Sequence, residues 1–280
     1  MANKIIFMGT SIFCVPILRS LYQNGYDISV VFTQPPQKSH RGQKINKSPI
    51  QSISETLNID YRIPKTLKDN LEEYKFLKEL NADLAVVCAY GQIIPKNFLN
   101  LTKKGFVNIH ASILPSWRGA APIQRSIMNL DPETGISIMK MNEELDSGPI
   151  SNIYKIKIGK NQNAQEISEK LSTLAAEKIL DNIDDILEDK AKFIDQDHSK
   201  ATYAKKIHKE ESQIDWDGDA SKIIGKINGL FPSPGASFIF NNERYKILKA
   251  EIGNGIGQVG EIISNQLEVA CNNNQSIKIL

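Results

Sequence analysis

The sequence predicts the α/β fold class: a doubly wound domain with a mostly parallel sheet, joined to a smaller all-β domain of barrel or sandwich type. Three observations predict it. Strand and helix signals alternate over residues 1–189, and the strands are near-continuous apolar runs, the pattern of a sheet covered on both faces. After about residue 209 the texture changes to short β-type runs split by Asn and Gly turns. The 280 residues are 41% hydrophobic and 24% charged, enough for two cores that need no staples.

Each element follows in order. "KIIFMG" is a short buried strand, closed by a Gly9-Thr10-Ser11 turn. "FCVPILRSLYQNG" is a helix ending at Gly25, where a left-handed cap suits glycine. "ISVVFT" is the next strand, "QSISETLN" a short helix and "NLEEYKFLKEL" a clearer one. "DLAVVCAYG" is an apolar strand ended by Gly91, and "GFVNIHAS" is another strand. "AAPIQRSIMNL" reads as a helix and "TGISIMKM" as a strand. The longest helix signal starts at "AQEISEK", where Ile167, Leu171, Leu174, Ala175, Ile179, Ile183, Ile186 and Leu187 keep the helical period. Residues 190–208 are polar and weakly periodic, as a linker is. In residues 209–280, "ASKIIGKINGL" is one helix, and "ASFIF", "RYKILKAEI", "GQVGEIIS", "LEVACN" and "SIKIL" are strands.

Composition excludes some classes. A net charge of +2 demands no nucleic-acid partner, so any such partner would meet a local patch. Three widely spaced cysteines, Cys14, Cys88 and Cys271, give no zinc spacing and fit a reducing compartment. The N-terminus has too short an apolar run for a signal peptide, and nothing approaches the roughly 20 apolar residues of a membrane span. A cytoplasmic protein with no metal is expected. Gly9-Thr10-Ser11 is not a dinucleotide fingerprint, and no Walker loop or nucleophile elbow is present.

One constellation carries chemistry. In a doubly wound sheet, ligands sit beyond the carboxyl ends of the strands. Asn108 and His110, two apart at a strand end, point to one side. An amide donor beside an imidazole can polarise a carbonyl and hold the oxyanion formed on nucleophilic attack. The imidazole can also move a proton near neutral pH. Asp146, in the loop after the next strand and expected at the same carboxyl edge, would orient the ring. Taken singly, a strand-end His is more often structural, Asn108 could cap a loop, and Asp146 sits in an ordinary Asp-Ser-Gly turn.

"NIHASILPSWRGAAPIQRSI" together with "LDSG" resembles the folate-dependent formyltransferases, whose mark is an Asn-x-His strand, a Ser-Leu-Leu-Pro loop and a later Asp. The loop here reads Ser112-Ile113-Leu114-Pro115. "FTQPP", "VCAYGQIIP" and "IDW" are similar to the members that act on tRNA, and the likeness runs over essentially the whole chain. The resemblance implies a Rossmann-like formyltransferase domain at 1–189, a linker at 190–208 and an OB-like β-barrel domain at 209–280, shortened at Leu280. It implies transfer of formyl from 10-formyltetrahydrofolate to the α-amino group of methionine on initiator tRNA, by a monomer. Asn108, His110 and Asp146 would be the catalytic set, the carboxylate favouring the imidazolium. The folate would lie along Cys88, Ala89, Tyr90 and Gly91 and the loop of Ser112, Ile113, Leu114 and Pro115. Trp117 and Arg118 would contact the acceptor stem or brace the loop.

Between Asp27 and Glu55 there is no acid, while Lys38, Arg41, Lys44 and Lys47 lie there. So long a connection in an α/β unit reads as a functional, mobile basic loop at the site's edge. The resemblance makes it an RNA-reading insertion, with Arg41 at the recognition position. Lys205 and Lys206 would add phosphate affinity of the salt-dependent kind. A formyltransferase acting on a sugar or nucleotide amine would keep the three catalytic residues without needing the basic loop. A non-catalytic RNA-binding protein would need no intact triad.

Overall fold

The structure is a computed structural model that describes residues 3–39 and 44–280. In the first stretch, β1 (Lys4–Gly9) leads into α1 (Val15–Gln23), which has a proline in its first turn, and then β2 (Asp27–Phe32). Gly25, just past the helix, takes φ 82°, the left-handed turn expected of it. Next come β3 (Gln37–Ser39), β4 (Lys44–Asn46), α2 (Pro49–Thr56), β5 (Tyr61–Arg62), α3 (Leu71–Leu80), β6 (Leu84–Cys88) and α4 (Lys96–Leu99). α2 and α3 are capped at their N-termini by Ser48 and Asn70, whose side chains accept from Gln51 N and Glu73 N. Then follow β7 (Phe106–His110), β8 (Arg118–Gly119), α5 (Pro122–Asn129), β9 (Glu133–Lys140), β10 (Ile150–Lys157), α6 (Ala164–Leu187) and β11 (Tyr203–Ala204). The remainder holds α7 (Ala220–Leu230), β12 (Ala236–Phe240), β13 (Glu243–Ile247), β14 (Ala250–Ile252), β15 (Ile262–Ser264), β16 (Glu268–Cys271) and β17 (Gln275–Ile279).

Seven strands form one sheet in the order β10-β9-β7-β6-β1-β2-β5. β1 pairs in parallel with β2 and β6, β2 with β5 and β6 with β7. Alternate residues serve opposite faces, as the pleat requires. Ile6, Met8, Val30, Phe32, Ala85 and Val87 enter one buried cluster with Leu77, Tyr90 and Phe98. The stripe predicted for α6 is buried at Ile167, Leu171, Ala175, Ile179 and Ile183. The fold class is the expected one: an α/β chain with a mostly parallel central sheet and antiparallel strands after it.

Three expectations of detail are corrected. β9 runs antiparallel to β7, with Val107 opposite Lys140 and His110 opposite Ser137. The loop after β9 therefore leaves beside the amino end of β7, where Met141 N donates to Phe106 O at 2.8 Å, and not at the carboxyl edge. The stretch read as a simple long loop carries an antiparallel ribbon, with Lys38 opposite Ile45 and Ser39 opposite Lys44. The edge strand β10 went unread, since its burial alternates only weakly.

By packing, the described chain divides into two compact units. One holds the chain up to Arg118 with Gly135–Tyr154 and Lys170–Thr202; the other holds Gly119–Thr134, Lys155–Glu169 and Tyr203–Leu280. In the second unit α5 lies against α7. Its strands after α7 form two antiparallel sheets, β12-β13 and β14-β17-β16-β15. Ile223, Ile227, Leu230, Ala236, Ile247, Cys271 and Ile277 make its core. No helix among the described residues is long and apolar enough to cross a membrane.

Candidate active site

Asn108 and His110 sit in the second half of β7, an apolar strand buried at every residue. Asn108 is 9% and His110 6% exposed, so each polar group needs a partner. Asp146 supplies one to both. Asn108 Nδ2 donates to Asp146 Oδ1 at 3.3 Å, and His110 Nδ1 lies 3.5 Å from Asp146 Oδ2. The other ring nitrogen, Nε2, is 2.9 Å from the Trp117 carbonyl. A carbonyl and a carboxylate only accept, so the ring meets both when each of its nitrogens carries a proton. The loop after β9 thus starts at the far end of β7 but returns over the strand's face, bringing residues 38 positions apart into contact.

Asp146 reaches this place from a left-handed backbone, φ 47°. Gly148, two residues on, comes so close to β9 that a Cβ there would sit 1.9 Å from the Lys140 carbonyl oxygen. Ser147 Oγ donates to Asn142 Oδ1 at 3.0 Å and ties the turn to its own start. From the other side Gln196 donates its amide to the carbonyls of Asp146 and Gly148, at 2.9 and 2.7 Å. Gln196 lies in the stretch read as linker, and no signal in its neighbourhood of sequence marks it.

The residues predicted along the folate edge are placed unequally. Ala89 and Gly91 are exposed in a turn with φ 41° and 77° at the carboxyl end of β6. Thr10 Oγ1 and Gln34 Nε2 hold the turn by donating to the Tyr90 carbonyl, at 2.7 and 3.1 Å. Glycine suits position 91 because of its φ of 77°, and a Cβ there would also push aside the Gln34 amide, whose nitrogen it would meet at 2.4 Å. Tyr90 itself is buried, and burial first, then the charge of Glu73, pushes its hydroxyl above the ordinary tyrosine range. The Cys88 side chain is fully buried and its thiol free, and its hydrogen bond with Cys14, then burial, holds that thiol well above the usual value. Ile113 and Pro115 are half-buried, while Ser112 and Leu114 are buried. Ser112 Oγ donates to the Ser116 carbonyl at 2.6 Å, and Leu114 N to Ser137 Oγ at 3.1 Å, so both serve the loop's own shape.

Arg118 braces the loop, since its side chain is 3% exposed. Trp117 also contributes its backbone: N donates to Thr202 Oγ1 at 2.9 Å, and O faces His110. Of the basic residues, Lys47 is exposed and paired with Glu55 at 2.8 Å. Lys205 and Lys206 are exposed, and their carbonyls accept from Arg125 at 3.1 and 3.4 Å. Lys38 and Lys44 sit on the β3-β4 ribbon, and Arg41 falls outside the described residues. No group of three or more His, Cys, Asp or Glu among the described residues could hold a metal ion.

A buried amide and imidazole at one strand end, bound together by a carboxylate from a neighbouring loop, form a set whose donors can polarise a carbonyl. The formyl transferase family profile matches residues 3–183, and that of the formyl transferase C-terminal domain matches residues 206–280; the chain belongs to the formyl transferase family. It is 64% identical over 280 residues to a methionyl-tRNA formyltransferase of Pelagibacter ubique, covering 100% of this chain and 90% of that one. It is 41% identical over 276 residues to the methionyl-tRNA formyltransferase of a Chelativorans species, covering 97% of this chain and 88% of the relative. The fold matches a sugar 3N-formyl transferase crystallised with dTDP and 5-N-formyl-THF, with a TM-score of 0.75 at 20% identity, over 100% of this chain and 97% of that one.

Proposed function

We propose that this chain transfers the formyl group of 10-formyltetrahydrofolate to the α-amino group of methionine esterified to initiator tRNA, in the cytoplasm and as a monomer. One observation carries the chemistry: Asn108, His110 and Asp146 meet in a single hydrogen-bonded set. The choice of acceptor rests on the full-length likeness to methionyl-tRNA formyltransferases.

The methionyl amine attacks the formyl carbon, a C–N bond forms, the bond to the folate nitrogen breaks, and one proton passes from the amine to that nitrogen. An amide nitrogen carries two protons, and one of them makes the hydrogen bond that Asp146 accepts from Asn108. The other serves the oxygen that turns negative in the tetrahedral intermediate, where a preorganised donor matters most. Asp146 orients His110 beside the developing charge; His110 or a water carries the proton. The exposed turn at Ala89 and Gly91 and the half-buried Ile113 and Pro115 offer the folate backbone groups and apolar surface. Residues 1–189 would carry the chemistry, with 190–208 as linker and 209–280 as the RNA-holding domain. Lys38, Arg41, Lys44 and Lys47, with Lys205 and Lys206, would supply phosphate contacts.

The test is transfer of labelled formyl from 10-formyltetrahydrofolate to methionyl initiator tRNA, with the elongator as control. Product on the initiator alone supports the proposal. Product only on a sugar or nucleotide amine would reassign the acceptor. Arg41→Ala is expected to raise KM for the tRNA and leave folate binding unchanged, measured by steady-state kinetics and by folate titration.

A further inference from the structure

Gln196 is 6% exposed, and all of its amide is used. Its nitrogen donates to the Asp146 and Gly148 carbonyls at 2.9 and 2.7 Å. Its oxygen accepts from Arg118 Nε at 3.1 Å and from Arg118 Nη2 at 2.7 Å. A guanidinium only donates. Arg118 therefore decides which way the amide faces: oxygen toward itself, both protons toward the Asp146 loop. Arg118 is also buried, and its Nη2 lies 3.2 Å from His198 Nδ1.

The loop has reason to need such a grip. Asp146 occupies a left-handed conformation, which crowds a residue that has a Cβ. Gln196 bridges the carbonyls on either side of Ser147, the turn that carries this residue. The bridge reaches the reaction through where it puts the Asp146 carboxylate, which meets Asn108 and His110.

We infer that Gln196 is a positioning residue for the transfer reaction: it holds the Asp146 main chain so that the carboxylate meets Asn108 and His110, with Arg118 setting the sense of its amide. This rests on the formyl-transfer reading of the site. Asp146 is the point of action, Gln196 the clamp and Arg118 the part that keeps the clamp from flipping.

Gln196→Glu tests it. The shape and the Arg118 partner are kept, but an acceptor now faces two carbonyls. Melting curves establish that the variant folds; if it does not, Arg118→Lys, which keeps one donor on the Gln196 oxygen, takes its place with a smaller expected loss. The expected result is a kcat lower by about 10- to 100-fold, the cost of a misplaced group away from the chemistry, with KM for methionyl-tRNA little changed. Amides of residues 141–148 should exchange with solvent faster than in the wild type. In an Asp146→Ala background the same substitution should add almost nothing, because residues acting as a unit are not additive. Wild-type kcat, unchanged exchange at 141–148, or an equal loss in the Asp146→Ala background would overturn the inference. A wild-type chain that formylates no methionyl-tRNA defeats the functional reading instead, and the exchange comparison still decides whether Gln196 clamps the loop.

Discussion

Asp146 shows how much a single side chain here depends on its main chain. Its two oxygens serve Asn108 and His110, yet its own backbone is left-handed and its neighbour Gly148 is pressed against β9. Gly148→Ala would drive a methyl to 1.9 Å from the Lys140 carbonyl oxygen, so either β9 or the loop must shift. A displacement of about 1 Å at Asp146 is expected to lower kcat by on the order of 100-fold, read in single-turnover formyl transfer. Asn108→Ala acts differently. It removes the donor proposed for the oxyanion, and a loss of about 100-fold or more in turnover is expected with little change in melting. Near wild-type turnover would take Asn108 out of the mechanism.

Among the elements, β9 decides where sequence reasoning succeeded and where it stopped. The strand-end pair Asn108 and His110 was legible because period 2 fixes their common side. Asp146 was legible as a partner, but its route was not. "TGISIMKM" is equally apolar in either direction, and direction comes from pairing with β7, which sequence does not record. Gln196 was illegible for a related reason: a buried clamp in a polar segment looks like linker until the 50 residues back to Asp146 are closed up. The β3-β4 ribbon was half legible. Its basic content was plain, but the pairing of Lys47 with Glu55 of α2 was not. That pair is exposed, so it contributes little to stability. It does occupy a charge proposed for RNA. Glu55→Gln is expected to lower KM for methionyl-tRNA by a few-fold at low salt, with a steeper loss of affinity as salt rises. An unchanged salt slope would remove Lys47 from the phosphate contacts.

At the scale of the molecule, the two units do not follow the chain in blocks. α5 stands between β8 and β9 in sequence, yet it packs with α7 from beyond residue 208. Two glycines on α7 make the approach possible. A Cβ at Gly225 would sit 2.6 Å from Leu130 Cδ2, and one at Gly229 would sit 2.6 Å from Met128 Cγ and 2.9 Å from the Gln124 carbonyl oxygen. Cutting the chain at residue 208, where a linker was expected to end, would keep α5 and remove the helix it lies against. Met128, packed on the core of Ile223 and Ile227, would lose that cover. Each apolar side chain returned to water costs about 1.5–3 kcal/mol, and each kcal/mol lowers the melting temperature of a chain this size by about 2–4 °C. A fragment of residues 1–208 is therefore expected to melt at least several degrees below the full chain and to bind an apolar-surface dye that the full chain does not. Placing Ala at both Gly225 and Gly229 in the full chain should destabilise it by about 1–3 kcal/mol through the same contact. If the fragment instead melts with the full chain and stays dye-free, α5 does not depend on α7. The catalytic half would then be a domain that ends where the sequence suggested.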